Sequence, residues 1–327
     1  MFNVGYIGSG PISNFHVPAL KKVGLSVGGI ATRYGSQTVE SFAKKHSITN
    51  IYNSWQQLLA DDEKFDCYVI CVDTTATPRI LEDVLSTGKK ILVEKPAAWK
   101  STQLQQIAQH KNADNVVFAY NRRFYTTVDA AKDFIQEYPQ CNALIRLPDS
   151  IPTIRQFLVN GCHGVDLILY LFPDLTVEHV KHTYSSEGEL NGIYAILNGK
   201  DGNVINLICD WAAPDNFAID LFCENSRFLL CPFEAAVRYE GMEVIQPTDE
   251  MPIRRYIPKQ KESLSLLRED MEYKPGFLGQ YNAFKTFIET GQRSPSQCNF
   301  DEAIKCLQIC EALLPEKLLS DDLYSEF

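Results

Sequence analysis

Phe2-Asn3-Val4-Gly5-Tyr6-Ile7-Gly8-Ser9-Gly10-Pro11-Ile12-Ser13 joins an apolar run to a glycine-spaced turn and the first residues of a helical pattern. The run 2–7 predicts a buried strand, and Ala19, Leu20 and Val23 carry a helical period beyond the turn. Glycines at such a turn let backbone N–H groups approach a pyrophosphate, which then sits at the positive end of the following helix. Ser13 stands at the third small position, where the stricter fingerprint has Gly or Ala, and is still small enough for close helix-to-strand packing. Strand, glycine turn and helix in this order predict a dinucleotide site built on Gly8, Ser9, Gly10, Pro11 and Ile12.

Outward from this unit the pattern repeats. Strands are predicted at 25–32, 66–72, 90–94 and 116–119, with helices at 36–46, 78–87 and 101–110. Alternation of this kind implies a doubly wound parallel sheet of the Rossmann type, assigned to 1–122 as an NAD(P)-binding domain. After about Arg122 the rhythm changes to a helix at 126–138, a strand at 142–147 and a long helix at 154–172. Strand-like runs follow at 177–183, 193–197, 204–211, 218–223 and 227–230, with a turn signal over 198–202. Short turns between successive strands favour a mostly antiparallel sheet, so 123–327 reads as a second, α/β domain, to which the resemblance described below assigns substrate binding and oligomerisation. Two closing helices, 279–290 and 301–314, are expected to pack back near the first domain.

The chain has 327 residues and a net charge of -10, which argues against a nucleic-acid or anionic-membrane partner. No apolar stretch approaches membrane-spanning length and no leader pattern precedes the first strand, so a soluble, cytoplasmic protein is expected. Ten cysteines, several inside apolar runs such as 67–71, read as buried thiols, and their spacing without histidine partners predicts no metal site.

The residue that reads the adenosine ribose should lie about 20 residues past the glycine turn. Thr32 and Arg33 stand there in place of an acid, offering a hydroxyl and a guanidinium suited to a 2'-phosphate, so NADP(H) is favoured over NAD(H). Lys95 follows the apolar run Ile91-Leu92-Val93 and precedes Pro96, at the carboxyl end of a sheet strand, where open α/β sheets bind ligands. A lysine there can exchange a proton with a carbonyl or hydroxyl oxygen, although an ion pair with Glu94 would be the structural alternative.

Five stretches together resemble the glucose-fructose oxidoreductase / inositol dehydrogenase / rhizopine-catabolism (Gfo/Idh/MocA) family. They are 7–13 with His16 and Pro18-Ala19-Leu20; Leu92-Val93-Glu94-Lys95-Pro96-Ala97; Tyr120-Asn121-Arg122-Arg123-Phe124; Gly161-Cys162-His163-Gly164-Val165-Asp166; and Phe277-Leu278-Gly279-Gln280-Tyr281-Asn282-Ala283-Phe284. The resemblance implies a Rossmann domain, a second domain with an open antiparallel sheet, an active site between them, and a dimer or tetramer formed through that sheet. It implies a small sugar, cyclitol or related substrate. It makes Lys95 the proton-handling lysine, Glu94 a support for the nicotinamide, Asn121 and Arg123 neighbours of nicotinamide and substrate, and His163 the residue facing the reacting hydroxyl.

Two departures stand out. Many relatives carry Asp four residues before the histidine, where this chain has Val159; either Lys95 and His163 suffice, with Asn160 or Asp166 fixing the substrate or imidazole, or the chemistry is altered. After Val72, where relatives often read Thr-Pro-Asn, the chain has Asp73-Thr74-Thr75-Ala76-Thr77-Pro78, leaving Thr74 and Thr77 to hydrogen-bond the cofactor and adding a charge at Asp73. The other histidines, His16 included, read as structural or exposed. The function expected is hydride transfer between a nicotinamide and a secondary alcohol or ketone of a sugar, cyclitol or sugar nucleotide. The alternative is a non-catalytic NAD(P)-binding sensor of the same fold.

Overall fold

A computed structural model describes residues 2–316 except 34, 35, 37, 149–154, 156, 201 and 211–213, with the side chains of 269 and 270 also undescribed. The described residues divide into two compact units, the first formed within 2–124 and 268–311 and the second within 125–267 and 312–316.

The first unit is built on six strands: β1 (Phe2–Ile7), β2 (Leu25–Ala31), β3 (Ile51–Tyr52), β4 (Cys67–Ile70), β5 (Lys90–Val93) and β6 (Val116–Phe118). They lie in the order β3-β2-β1-β4-β5-β6 and every pairing is parallel. Strands β4 and β5 are apolar and almost wholly buried because helices cover both faces of such a sheet. The order reverses between β1 and β4, and ligands bind outside the carboxyl ends of strands at such a switch point.

Among the segments of this unit that escaped the sequence reading are β3, of two residues, and the short helix Trp55–Ala60. The latter is N-capped by Ser54, whose hydroxyl accepts from the Gln57 N–H at 3.3 Å. Helix Phe277–Thr290 places Phe277, Leu278, Tyr281, Phe284 and Phe287 in the same core as Val4, Tyr6, Val17, Leu20 and Leu92. Further on, Phe300 meets Phe118 edge-on at 5.0 Å, and the Glu311 carboxylate accepts from Ser101 N–H and Oγ at 2.6 and 2.7 Å, at the start of helix Ser101–Ile107.

The second unit carries eight strands: β7 (Asn142–Arg146), β8 (Thr176–Tyr184), β9 (Leu190–Asn198), β10 (Val204–Asp210), β11 (Ala218–Cys223), β12 (Ser226–Leu230), β13 (Ala235–Ile245) and β14 (Arg255–Ser265). Their order is β14-β13-β12-β11-β7-β10-β9-β8, antiparallel except for β7 against β10. Helix Thr126–Glu137 buries Val128, Ala131 and Phe134, the last meeting Phe228 of β12 at 5.4 Å.

Three readings are corrected here. The long helix expected over 154–172 begins outside the described residues; 157–161 then forms a π turn and only Cys162–Leu171 is α-helical. The 11-residue strands β13 and β14 were missed, because β14 is polar and exposed along nearly its whole length and shows no apolar alternation. Cys141 and Cys223 form a disulfide rather than two thiols, since β7 and β11 are antiparallel neighbours with Asn142 opposite Phe222. Trp211, the expected end of β10, lies outside the described residues.

Candidate active site

Parallel register gathers the strand ends. Ile7 pairs with Ala31 and Ile70, Ile70 with Val93, and Val93 with Phe118. The ladder then continues one residue further: Gly8 N–H donates to Ala31 O at 2.9 Å, Cys71 N–H to Ile7 O at 2.7 Å, Glu94 N–H to Ile70 O at 2.9 Å and Ala119 N–H to Val93 O at 2.8 Å. Gly8, Val72, Glu94-Lys95 and Asn121 thereby emerge along one edge of one sheet.

The two turn glycines serve different ends. Gly8 has φ +114°, and a Cβ there would sit 1.9 Å from the Cys71 carbonyl oxygen, so the protein's own backbone demands glycine. At Gly10 a Cβ would meet nothing within 4 Å. The glycine there leaves open space at the start of helix Ser13–Lys22, which has no side-chain cap and no acidic residue in its first turn. An uncompensated helix N-terminus behind an open glycine turn fits the pyrophosphate of a dinucleotide.

At the end of β2, Thr32 is half-buried, Arg33 is exposed, and the Thr32 hydroxyl donates to Arg33 O at 3.4 Å. Ser9 Oγ lies 3.1 Å from Thr38 Oγ1, which is 3.3 Å from Ser36 Oγ. These hydroxyls and one guanidinium occupy a stretch with no acidic residue from Thr32 to Thr38. Beyond the half-buried Val72, Asp73 takes a local role: Oδ1 accepts from Thr75 N–H at 3.0 Å, and its carbonyl accepts from Thr77 N–H and Oγ1 at 3.1 and 3.0 Å. The extra charge thus shapes the turn that starts helix Thr77–Leu85, with Thr74 and Thr77 both buried.

Glu94 and Lys95 are half-buried, and the partner of Glu94 is a residue that sequence reasoning had set aside. His16 is fully buried; its Nε2 lies 2.8 Å from Glu94 Oε1 and its Nδ1 2.7 Å from the Tyr281 hydroxyl. Burial opposes charging of this imidazole, but Cys71 and Glu94 beside it outweigh that cost and push its pKa up to about 9. Burial would raise the Glu94 carboxyl, yet the His16 hydrogen bond, Lys95 and Lys274 hold it below the usual range. Burial, with Cys71 and Glu94 nearby, keeps Tyr281 a phenol far above its ordinary titration. Of the two readings given for His16, structural or exposed, its burial and its hydrogen bonds to Glu94 and Tyr281 fit the structural one, with Glu94 as the partner that the sequence reading did not assign. The signal was present in its place on the first helix and in the recurrence of Tyr281 in the closing motif.

Asn121 is buried and donates through Nδ2 to Pro275 O at 2.8 Å. Arg123 is only 1 % exposed and donates to Glu302 Oε1 at 2.7 Å, so its guanidinium is engaged within the first unit. In the second unit, Val159 and Asn160 belong to the π turn Phe157–Gly161, while His163 and Asp166 lie buried on the following helix. The turn changes the spacing that a uniform helix would give Val159 and His163, and π turns inside helices are frequent at functional sites. A Cβ at Gly164 would lie 2.1 Å from Leu147 Cδ2, so the leucine side chain packs directly on this glycine.

Among the described residues no cluster of His, Cys, Asp and Glu could hold a metal ion, and no helix is long and apolar enough to cross a membrane. The chain is similar over 138 residues, at 29 % identity, to trans-1,2-dihydrobenzene-1,2-diol dehydrogenase of Xenopus tropicalis. The matched stretch is 41 % of this chain and 41 % of that enzyme, so the likeness spans about two fifths of the curated relative. Its fold is similar to that of a dehydrogenase from Clostridium difficile, with a TM-score of 0.75 at 19 % identity over 95 % of this chain and 98 % of that one. A UDP-N-acetylglucosamine 3-dehydrogenase from Acidithiobacillus ferrooxidans gives a TM-score of 0.74 at 15 % identity, covering 95 % and 96 %. Residues 2–122 match the Gfo/Idh/MocA model, described as an oxidoreductase family with an NAD-binding Rossmann fold.

Proposed function

We propose that the chain is an NAD(P)-dependent dehydrogenase acting on a secondary alcohol or ketone of a sugar, cyclitol or sugar nucleotide. The observation that carries this reading is the alignment along one sheet edge, at the ends of β1 and β5 with β4 between them, of an open glycine turn and a Glu-Lys pair whose carboxylate is held ionised by a buried histidine. Gly8, Ser9, Gly10, Pro11 and Ile12 cradle the pyrophosphate, and Thr32 and Arg33, with the hydroxyls of Ser9, Ser36 and Thr38 nearby, favour NADP(H) over NAD(H). Val72, Thr74 and Thr77 flank the cofactor, and Glu94 and Asn121 its reactive end.

When bound, the nicotinamide supplies or accepts hydride at carbon. Lys95 exchanges the hydroxyl proton, and its neighbour Glu94, kept anionic, holds the ammonium in place. The second unit supplies the substrate-binding and oligomerising surface, with His163 facing the hydroxyl and Asn160 and Asp166 fixing the substrate. Arg123, paired with Glu302, orients this edge of the site. Exposed Met242, Val244, Tyr256 and Ile257 on β13 and β14 favour a homodimer or tetramer formed through the second sheet.

NADPH turnover with a panel of sugars, cyclitols and nucleotide sugars tests the reading, together with Lys95→Ala. The variant should lose turnover while binding NADPH about as tightly as the parent; full activity without Lys95 would remove the assignment. Val159, standing in for the acid, favours a second reading as a non-catalytic nucleotide sensor, for which tight NADPH binding with no turnover across the panel would speak.

A further inference from the structure

Cys141 stands directly before β7 and Cys223 ends β11, and the register that sets Asn142 opposite Phe222 sets these two cysteines opposite each other. Their Cα atoms lie 4.7 Å apart, close to the spacing of a non-hydrogen-bonded antiparallel pair, in which facing side chains meet. The sheet does not depend on this bridge. β7 is paired along its length with β11 on one side and β10 on the other, and the chain entering it has its own anchor, Cys141 N–H donating to Asn203 Oδ1 at 3.2 Å. Nor is oxidation general in this chain. Cys67 and Cys71 are buried thiols, and half-buried Cys231 remains a thiol 3.7 Å from Nη2 of Arg146. A bridge at the end of an already complete ladder, in a chain that keeps a half-buried thiol, has the features of a reversible pair rather than of a staple.

The two sulfurs differ in access. Cys141 is fully buried, whereas Cys223 lines a cleft of about 430 Å³ walled also by Glu224, Asn225, Arg227, Tyr239 and Met242, large enough to admit a small molecule. Immediately beyond Cys223 the two-residue turn Glu224-Asn225 leads into β12, since Cys223 pairs with Ser226. Glu224 holds φ +46°, in the left-handed region that residues with a side chain adopt only where the surrounding structure imposes it. Three ties impose it here: the bridge at Cys223, Ser226 Oγ donating to the Tyr138 hydroxyl at 3.1 Å, and Gly241 N–H donating to Asn225 O at 2.9 Å. The first of them is the one that a change of redox state removes.

We propose that Cys141 and Cys223 form a reversible thiol–disulfide switch, opened through the cleft at Cys223 by a small thiol such as glutathione, which sets how firmly the Glu224-Asn225 turn is held. The thiolate of the small thiol attacks Sγ of Cys223, forming a mixed disulfide and expelling Cys141 as a thiolate that takes up a proton. A second small thiol cleaves the mixed disulfide. The pair thereby gains two electrons and two protons, and the two small thiols leave as one disulfide. The switch is independent of the dehydrogenase reading, because every group it uses lies in the second unit.

The test equilibrates the folded full chain in glutathione buffers of stepped reduced-to-oxidised ratio, traps thiols with N-ethylmaleimide and reads the Cys141 and Cys223 peptides by mass spectrometry. The pair should pass from bonded to reduced and back without denaturant. Hydrogen exchange should then run about tenfold or more faster over 222–227 and 239–242 in the reduced chain than in the oxidised one, with β1 and β4 unchanged. Cys141→Ser should show the fast exchange in both buffers, and if that variant fails to fold, the two redox forms of the parent decide alone. A pair that stays bonded until denaturant is added would be a structural staple, and one that stays reduced in oxidised glutathione would be two thiols. Either result, or equal exchange in the two redox forms, would overturn the switch.

Discussion

His16 Nε2 approaches Glu94 Oε1 to 2.8 Å in a buried setting, joining the first helix after the glycine turn to the end of the strand that carries Lys95. With Tyr281 accepting at Nδ1, both ring nitrogens are satisfied in the charged imidazolium, and the carboxylate gains a partner that cannot swing away. The pair fixes one side of the site from within the core.

That pair makes stability depend on pH with a definite sign. His16 titrates at about 9 in the fold against an ordinary value of 6.5, so its contribution is complete below pH 6.5 and fades as pH rises through 9. The shift limits this contribution to roughly 3 kcal/mol. Urea unfolding at pH 6.5 and pH 9.5 should therefore show a fall in the parent that His16→Gln lacks. Equal falls in both proteins would show that the imidazole is neutral in the fold.

The two turn glycines should separate stability from binding. Gly8→Ala forces a Cβ to within 1.9 Å of Cys71 O at φ +114°, and a loss of at least about 3 kcal/mol is expected in denaturant unfolding. Gly10→Ala meets no protein atom within 4 Å, so its unfolding midpoint should hardly move. Its NADPH affinity, read by fluorescence titration, should drop about tenfold or more because the methyl occupies the space assigned to the pyrophosphate. Unchanged NADPH binding in Gly10→Ala would argue against that placement.

The sheet of the first unit was legible because β1, β4 and β5 are apolar runs bounded by turn residues, and because parallel strands buried on both faces leave that trace. The hairpin β13–β14 was not, since Arg255–Ser265 carries Lys259, Lys261 and Glu262 on an exposed edge, where charge guards against pairing with other chains. Lys95 and Glu94 were legible from their strand-end position and motif. His16 was not, because its role depends on Glu94 and Tyr281, which lie 78 or more positions away. A lone histidine on a helix carries no local pattern.

Cofactor choice rests on Arg33, which is exposed at the end of β2 with Thr32 beside it and no acid through Thr38. Arg33→Ala should weaken NADPH binding about tenfold or more and NADH binding hardly at all, measured by parallel fluorescence titrations. Equal losses for the two nucleotides would remove the argument for a 2'-phosphate.

Arg123 and Glu302 offer a test of what holds the edge of the site. The guanidinium is 1 % exposed and the carboxylate 36 %, so the two ends of the pair differ in their access to water. Removing the carboxylate takes a counter-charge from a cation that cannot reach solvent, whereas removing the arginine leaves a carboxylate that can hydrate. Glu302→Ala should accordingly cost about 3 kcal/mol or more in urea unfolding, and Arg123→Met less, since a methionine fills much of the buried volume. The reverse order would mean that the guanidinium is held chiefly by its other contacts, Tyr120 among them at 5.9 Å, and that Glu302 serves mainly to accept from Asn299 N–H at 3.0 Å.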